Sequence, residues 1–102
     1  MEMNRIEIEE EKKKILDAFK NSDINKINAM MALIDQMAYE TIYLKYLKEK
    51  SLSIDTEKWK TLEDINNQIV KHSATLTNII DKMMKHLSVE ILNDNEGLDE
   101  YN

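Results

Sequence analysis

The feature that most constrains this chain is an apolar seam in its second half. Seam positions recur at alternating steps of three and four residues, the spacing that places side chains along one side of a long α-helix. This seam comprises Leu62, Ile65, Ile69, His72, Leu76, Ile79 and Met83, and His86 continues it. A shorter upstream seam comprises Ile27, Met30, Ile34, Met37, Thr41 and Leu44. Two seamed helices with a short break between them predict a long antiparallel helical hairpin. The two helices present more apolar seam than one hairpin can cover, so we also expect the seam of the second half to join subunits, with Leu76 and Ile79 as central contacts.

The composition favours an all-α fold. The chain has no Pro and one Gly in 102 residues, and it lacks a long run of alternating apolar and polar residues. We predict one helical domain over residues 1–92, with an N-terminal helix over about 3–20 and hairpin helices over about 24–50 and 56–92. Residues 93–102 are polar and acidic, which predicts a disordered tail.

Apolar spacing also predicts how the helices pack. In the first helix Ile8, Ile15, Leu16 and Phe19 can share one face. The second helix has a wider apolar stripe, which can contact two neighbours. Capping residues bound the helices: Asp23 can cap the second, and the third can begin near Thr56 or as late as Thr61. Trp59 is expected to close this end of the hairpin.

Residue types that serve catalysis or metal binding are scarce. No Cys is present, and a single Gly leaves no room for a phosphate-cradling loop. His72 and His86 lie fourteen residues apart in one seam, which is about 21 Å along a helix and too far for one metal ion. We expect no enzyme, cofactor or metal site. The histidines are then polar interruptions that fix helix register.

The sequence also predicts the cellular compartment of the protein. No apolar run approaches the roughly 18 residues of a membrane-spanning helix, and the N-terminal region is acidic. A cytoplasmic protein is expected, in the host cell if the protein is viral.

The tyrosines and lysines leave alternatives open. Tyr39, Tyr43 and Tyr46 share one helix face, either as an aromatic platform or at the margin of the core. The net charge is −6, but residues 93–102 hold four acidic and no basic groups, so the body is near neutral. Five lysines near the hairpin turn are possible nucleic-acid contacts, although acidic residues are interspersed. They are Lys45, Lys48, Lys50, Lys58 and Lys60.

Two segments resemble a known family. Leu33-Ile-Asp-Gln-Met-Ala-Tyr39 and Leu44-Lys-Tyr-Leu47 resemble the Asp-x-x-Ala and Leu-x-x-Leu steps in the first hairpin helix of small terminase subunits. Those proteins belong to tailed phages of Gram-positive bacteria. His72-Ser-Ala74, Asn78 and Leu87 are similar to the family's later pattern, so the resemblance covers roughly residues 28–90. Ser73 stands where the family usually has Pro, and no separate DNA-binding domain is evident before residue 20.

The resemblance implies a hairpin that assembles into a ring and helps a large motor subunit recognise viral DNA. We therefore expect a non-enzymatic homo-oligomer that serves DNA packaging, with the large terminase subunit as partner and nucleic acid as a possible ligand. The alternative is a small acidic helical binding module, such as a viral inhibitor of a host or defence protein. Its Met-rich seam and acidic tail would then engage that partner.

Overall fold

The computed structural model describes residues 4–94, which form three α-helices and no strand. The helices are α1 (Arg5–Ala18), α2 (Ile24–Ser53) and α3 (Trp59–Asp94). The predicted all-α hairpin with an additional N-terminal helix is confirmed. Most of the predicted tail, residues 95–102, lies outside the described range. Asn93 and Asp94, assigned to the tail from the sequence, are instead the last two residues of α3.

Side-chain caps fix where α1 and α2 begin. The Asn4 side chain accepts a hydrogen bond from the Ile6 N–H at 2.8 Å, and the Asp23 side chain accepts one from the Asn25 N–H at 3.1 Å. Each cap satisfies one of the first N–H groups, which have no partner inside a helix. Asp23 therefore has the role that its residue type predicts.

The hairpin turn lies three residues later than the sequence predicts. α2 continues through Ser53, and the Ser51 and Ser53 hydroxyls donate to the Lys48 and Lys50 carbonyls at 2.9 Å. Asp55 then closes a turn, since its carbonyl accepts from the Lys58 N–H at 2.9 Å. α3 consequently begins at Trp59, and not at residue 56.

α2 is the central helix of the fold. It packs against both α1 and α3, which run antiparallel to it. The molecule measures 61 × 33 × 16 Å, so its thinnest dimension holds little more than one layer of helices. The prediction that a wide apolar stripe would give α2 two neighbours is confirmed.

The core lies where the three helices meet. Met30, Ile34 and Ala38 of α2 have no exposed surface. Ile15 of α1 and Ile79 and Met83 of α3 complete this cluster. Ile8, Leu16 and Phe19 pack against it, which confirms the predicted face of α1. A further group is buried towards the hairpin turn: Ile42, Leu44, Leu47 and Ile65.

Trp59 does not close the hairpin, and that prediction is wrong. Its side chain is 61% exposed, and the Lys60 Nζ lies 5.7 Å from its ring centroid. Trp59 is the first residue of α3, while the half-buried Ile54 and Leu62 are the apolar residues turned inward at this end. The start of α3 therefore leaves the indole on the surface.

Packing at Ile34 predicts a large stability effect. Ile34→Ala should lower the free energy of unfolding by about 2–5 kcal/mol, because it removes buried methyl groups and leaves a cavity. Ile24→Ala is the matched control, since Ile24 is 64% exposed, and its effect should stay within about 0.5 kcal/mol. Urea unfolding followed by circular dichroism measures both. Equal losses in the two variants would contradict the assigned core.

Candidate functional site

The apolar seam of α3 faces α2 within a single chain. Ile65, Ile79 and Met83 are buried there. The other predicted seam residues are half-buried: Leu62, Ile69, His72 and Leu76. The sequence predicts that this seam joins subunits. Within the chain α2 already covers Ile65, Ile79 and Met83, and a contact between subunits through the half-buried positions remains a prediction. Apolar side chains that are more exposed lie beside the seam.

Such a surface is an apolar furrow between α1 and α3. It is lined by Ile15 and Phe19 of α1, Met37 of α2, and Ile80, Met83 and Met84 of α3. Its volume is about 370 Å³. Met84 is 56% exposed and Ile80 is 38% exposed, so solvent reaches both side chains. Clustered apolar side chains of this kind are a common feature of protein-binding surfaces.

The furrow continues towards the hairpin turn and carries charge of both signs. Lys14 borders both the furrow and a smaller pocket that reaches Thr41 and Lys45. Thr41 and Lys45 also border a second apolar groove, with Lys48 and the 88% exposed Leu52. An acidic rim on α1 borders the smaller pocket and consists of Glu7, Glu10 and Glu11. One face of the molecule thus combines an apolar path with acidic and basic margins.

A polar cluster joins α2 to α3 at the middle of the hairpin. The His72 Nδ1 lies 2.7 Å from the Glu40 Oε2, and both side chains are largely covered. The His72 ring centroid lies 4.6 Å from that of Tyr43, and the Tyr43 hydroxyl donates to the Gln68 Oε1 at 3.4 Å. These contacts join the two helices across the seam, and the role of His72 in fixing their register remains a prediction. The ring of His86, by contrast, is exposed.

The three tyrosines have different partners. The rings of Tyr39 and Tyr43 stack with centroids 6.1 Å apart, and Tyr39 is 46% exposed. Tyr46 instead donates its hydroxyl to the Glu7 Oε1 on α1 at 3.1 Å. Tyr39 and Tyr43 form a pair beside the polar cluster, so a platform of all three tyrosines does not form.

Two ionisable groups in the contacts between α1 and α2 are perturbed. Burial raises the pKa of Tyr46 above its ordinary value of 10.0, and the hydrogen bond to Glu7 raises it further. The Lys12 Nζ lies 2.8 Å from the Asp35 Oδ1, and this hydrogen bond raises the pKa of Lys12 above 10.5. In both pairs the partner stabilises the protonated form, so these contacts hold α1 on α2 at neutral pH.

No metal site is seen in the part of the chain that the structure describes, where no three His, Cys, Asp or Glu side chains are placed to hold an ion. Over the same residues, no helix is long and apolar enough to cross a membrane.

All five lysines predicted to contact nucleic acid are exposed. Lys45 is 3.4 Å from the Glu7 Oε2, and Lys48 shares its groove with Glu49. Lys60 lies over the Trp59 ring. Lys50 and Lys58 flank the turn on α2 and just before α3. Carboxylates therefore offset part of this charge, and a role in nucleic-acid binding remains a prediction.

Sequence reasoning missed a basic groove at the opposite end of the hairpin. Lys26 of α2 and Lys82, Lys85 and His86 of α3 line it together with Ala29 and Leu33, and its volume is about 690 Å³. The Lys26 Nζ donates to the His86 carbonyl at 3.1 Å. The spacing of Lys82, Lys85 and His86 indicates one helix face. Lys26 lies beside these three residues only because α2 and α3 pack antiparallel in this register.

A comparison with protein-family models, curated proteins and solved structures finds no match to this chain. The resemblance to small terminase subunits therefore remains a hypothesis that rests on the residues quoted above.

The contact between His72 and Glu40 predicts a measurable coupling energy. In a double-mutant cycle of Glu40→Ala and His72→Ala, the coupling should be about 1 kcal/mol. Either substitution removes the same half-buried hydrogen bond between the Glu40 carboxyl group and the His72 ring. A control cycle pairs Glu40→Ala with His86→Ala, and its coupling should stay within about 0.3 kcal/mol. Urea denaturation gives all the free energies. No coupling between Glu40 and His72 would show that the pair does not fix the register.

The raised pKa of Tyr46 predicts a loss of stability at alkaline pH. The stabilisation is complete below the unfolded pKa of 10.0 and is lost as the pH rises through the higher folded pKa. Tyr46→Phe should remove the latest step of the tyrosinate absorbance titration and weaken the pH dependence of the melting temperature above about pH 10. Tyr39→Phe is the control. An unchanged titration in Tyr46→Phe would argue against the contact with Glu7.

Proposed function

We propose that this protein is a non-enzymatic helical protein that self-associates through the furrow. The observation that carries the proposal is the exposure of Ile80 and Met84 in a groove whose lining is almost wholly apolar. Burying such side chains is favourable by about 25 cal/mol per Å² of apolar surface removed from water. The predicted assembly is retained, and its surface moves from the covered seam to the neighbouring furrow.

A second copy of this chain fits the charges that border the furrow. Glu10 lies on the acidic rim of α1 and Lys48 lies along the same face, while Lys45 with Glu7 and Lys14 with Glu11 are already paired within the chain. A twofold axis makes the same patch meet itself, so the acids of one copy can face the lysines of the other. Met37 and Met84 supply unbranched side chains that can adapt to the other surface.

The resemblance to small terminase subunits gives this assembly a role. We propose that the assembled protein serves viral DNA packaging beside a large terminase subunit. Assembly is the part of that role which the resemblance and the exposed furrow both support. The genome neighbourhood of the gene tests the biological setting, because a large terminase gene beside it is the expected finding.

The methionines also favour a second candidate, in which the furrow binds a different protein. A flexible, Met-lined surface can repack around an amphipathic helix. This is the binding-module alternative, with a host or defence protein as the target. A chain that stays monomeric and carries its gene among early or defence genes would favour it over the packaging role.

Self-association is tested by adding charge to the furrow. The native chain should scatter light as a species larger than its monomer mass of 12.0 kDa at micromolar concentration. Met84→Glu should weaken association at least about tenfold, because the carboxylate loses water when the furrow is covered. Val70→Glu is the matched control: Val70 is 69% exposed on α3 and does not line the furrow.

Two results would reject the proposal. One is a native chain that remains monomeric at about 100 µM, a concentration at which even a weak specific dimer with a dissociation constant near 10 µM is mostly assembled. The other is an equal loss of association in Val70→Glu and Met84→Glu. Circular dichroism of each variant confirms that the helices are intact.

A further inference from the structure

The basic groove combines apolar surface with two exposed lysines. Ala29 and Leu33 belong to a lining whose exposed surface is mostly apolar. Lys82 and Lys85 border it on α3, and both side chains are exposed. Among residues 4–86, neither lysine has an ion-pair partner. A segment that suits this groove therefore carries acidic and apolar side chains together.

Residues 95–102 of the same chain have this composition. The segment contains three acidic residues and no basic one, and it also contains Leu98 and Tyr101. Its acids are opposite in sign to the two lysines of α3, and its larger side chains match the apolar lining. A tyrosine can bury its ring while its hydroxyl group stays in water. The segment thus complements both parts of the groove.

The groove lies within reach of this segment. α3 ends at Asp94, twelve residues after Lys82, which is about 18 Å along the helix axis. Residues 95–102 span at most about 26–29 Å when extended. Gly97 lets the chain reverse its direction, since Gly adopts backbone conformations that other residues avoid. The segment can therefore run back along α3 to the two lysines.

Other surfaces suit this segment less well. The furrow has one lysine in its lining, Lys14, and the Lys14 Nζ lies 3.9 Å from the Glu11 carboxylate. Lys60, near the hairpin turn, lies about 51 Å along α3 from Asp94, which exceeds the extended length of the segment. Within that reach, the basic groove offers both apolar contact and exposed positive charge.

We propose that residues 95–102 bind in the basic groove of their own chain. The acids of this segment approach Lys82 and Lys85, and its apolar side chains cover the lining. Attachment to α3 raises the local concentration of the segment to the millimolar range, so a contact with a dissociation constant of about 1 mM is already substantially occupied. The bound segment also covers the groove against acidic segments of other proteins. The groove shares no residue with the furrow, so this binding does not depend on self-association.

The test uses the full chain with one spin label. The chain contains no Cys, so Asn102→Cys supplies a single thiol for a nitroxide, which broadens the amide NMR signals of residues close to it. Ala29 and Leu33 report on the groove, while Ile15 and Ala18 report on the furrow. Relative to the reduced label, the groove signals should lose most of their intensity and the furrow signals should keep most of theirs.

Charge changes on either side of the contact should remove this broadening. Lys82→Glu/Lys85→Glu and Asp99→Asn/Glu100→Gln should each restore most of the groove signals. Combining them should restore little more, because both changes remove the same contact. Raising the salt concentration should also restore part of the signal, since the Debye length falls from about 10 Å at 0.1 M to about 3 Å at 1 M.

The matched control is Lys58→Glu/Lys60→Glu, which makes the same change of charge near the hairpin turn. Its groove signals should stay broadened, because these lysines lie beyond the reach of residues 95–102. Circular dichroism of each variant checks that the helices are intact.

Three outcomes overturn the proposal. The first is equal broadening in the groove and the furrow, and the second is broadening that persists unchanged in Lys82→Glu/Lys85→Glu. The third is groove broadening that arises only when the spin label and the isotope label are on different copies, which would assign the groove to residues 95–102 of a second copy. Met84→Glu separates this binding from self-association: a monomeric variant that keeps broadened groove signals supports binding within one chain.

Discussion

Burial of the central stripe of α2 is the interaction on which the rest of this structure depends. Met30, Ile34 and Ala38 are fully covered because α1 and α3 pack on opposite flanks of the same helix. Neither outer helix has another partner of comparable extent in the described chain. A helix of the length of α1 is marginal alone in water, so its order comes from contact with this stripe. The arrangement fills both flanks of α2 and leaves two broad faces of a thin layer open, and the furrow lies on one of them.

Apolar packing alone does not determine a single register between neighbouring helices, and polar contacts can do so. Apolar side chains at similar spacing can be matched in more than one sliding position, while a hydrogen-bonded pair is made in only one. Glu40 with His72 is such a pair between α2 and α3, and Lys12 with Asp35 is one between α1 and α2. The same register places Lys26 beside Lys82 and Lys85. A shift of one helical turn, about 5.4 Å, would take the basic groove apart.

The sequence was a good guide to features that depend on one helix at a time. Apolar spacing predicted the hairpin and the inner face of α1, and it placed Ile65, Ile79 and Met83 on one face of α3. Local chemistry predicted Asp23 as a cap. Features that depend on two helices were missed, because spacing within one helix does not fix the register against another. Glu40 as the partner of His72 is one such feature, and Lys26 in the basic groove is another. Trp59 was misplaced for a related reason: its size suggested burial, but the starting residue of α3 decided its direction.

The thin layer also has a consequence for how the chain opens. Each helix packs on its neighbour in sequence, as the units of a solenoid do, and α1 and α3 are not adjacent along their backbones. In such a chain local unfolding starts at a terminal unit and need not involve the whole. α1 is the shortest helix, and its ties to α2 through Glu7 and Lys12 lie close to solvent. It is the unit expected to detach first, uncovering part of the α2 stripe while α2 and α3 remain paired.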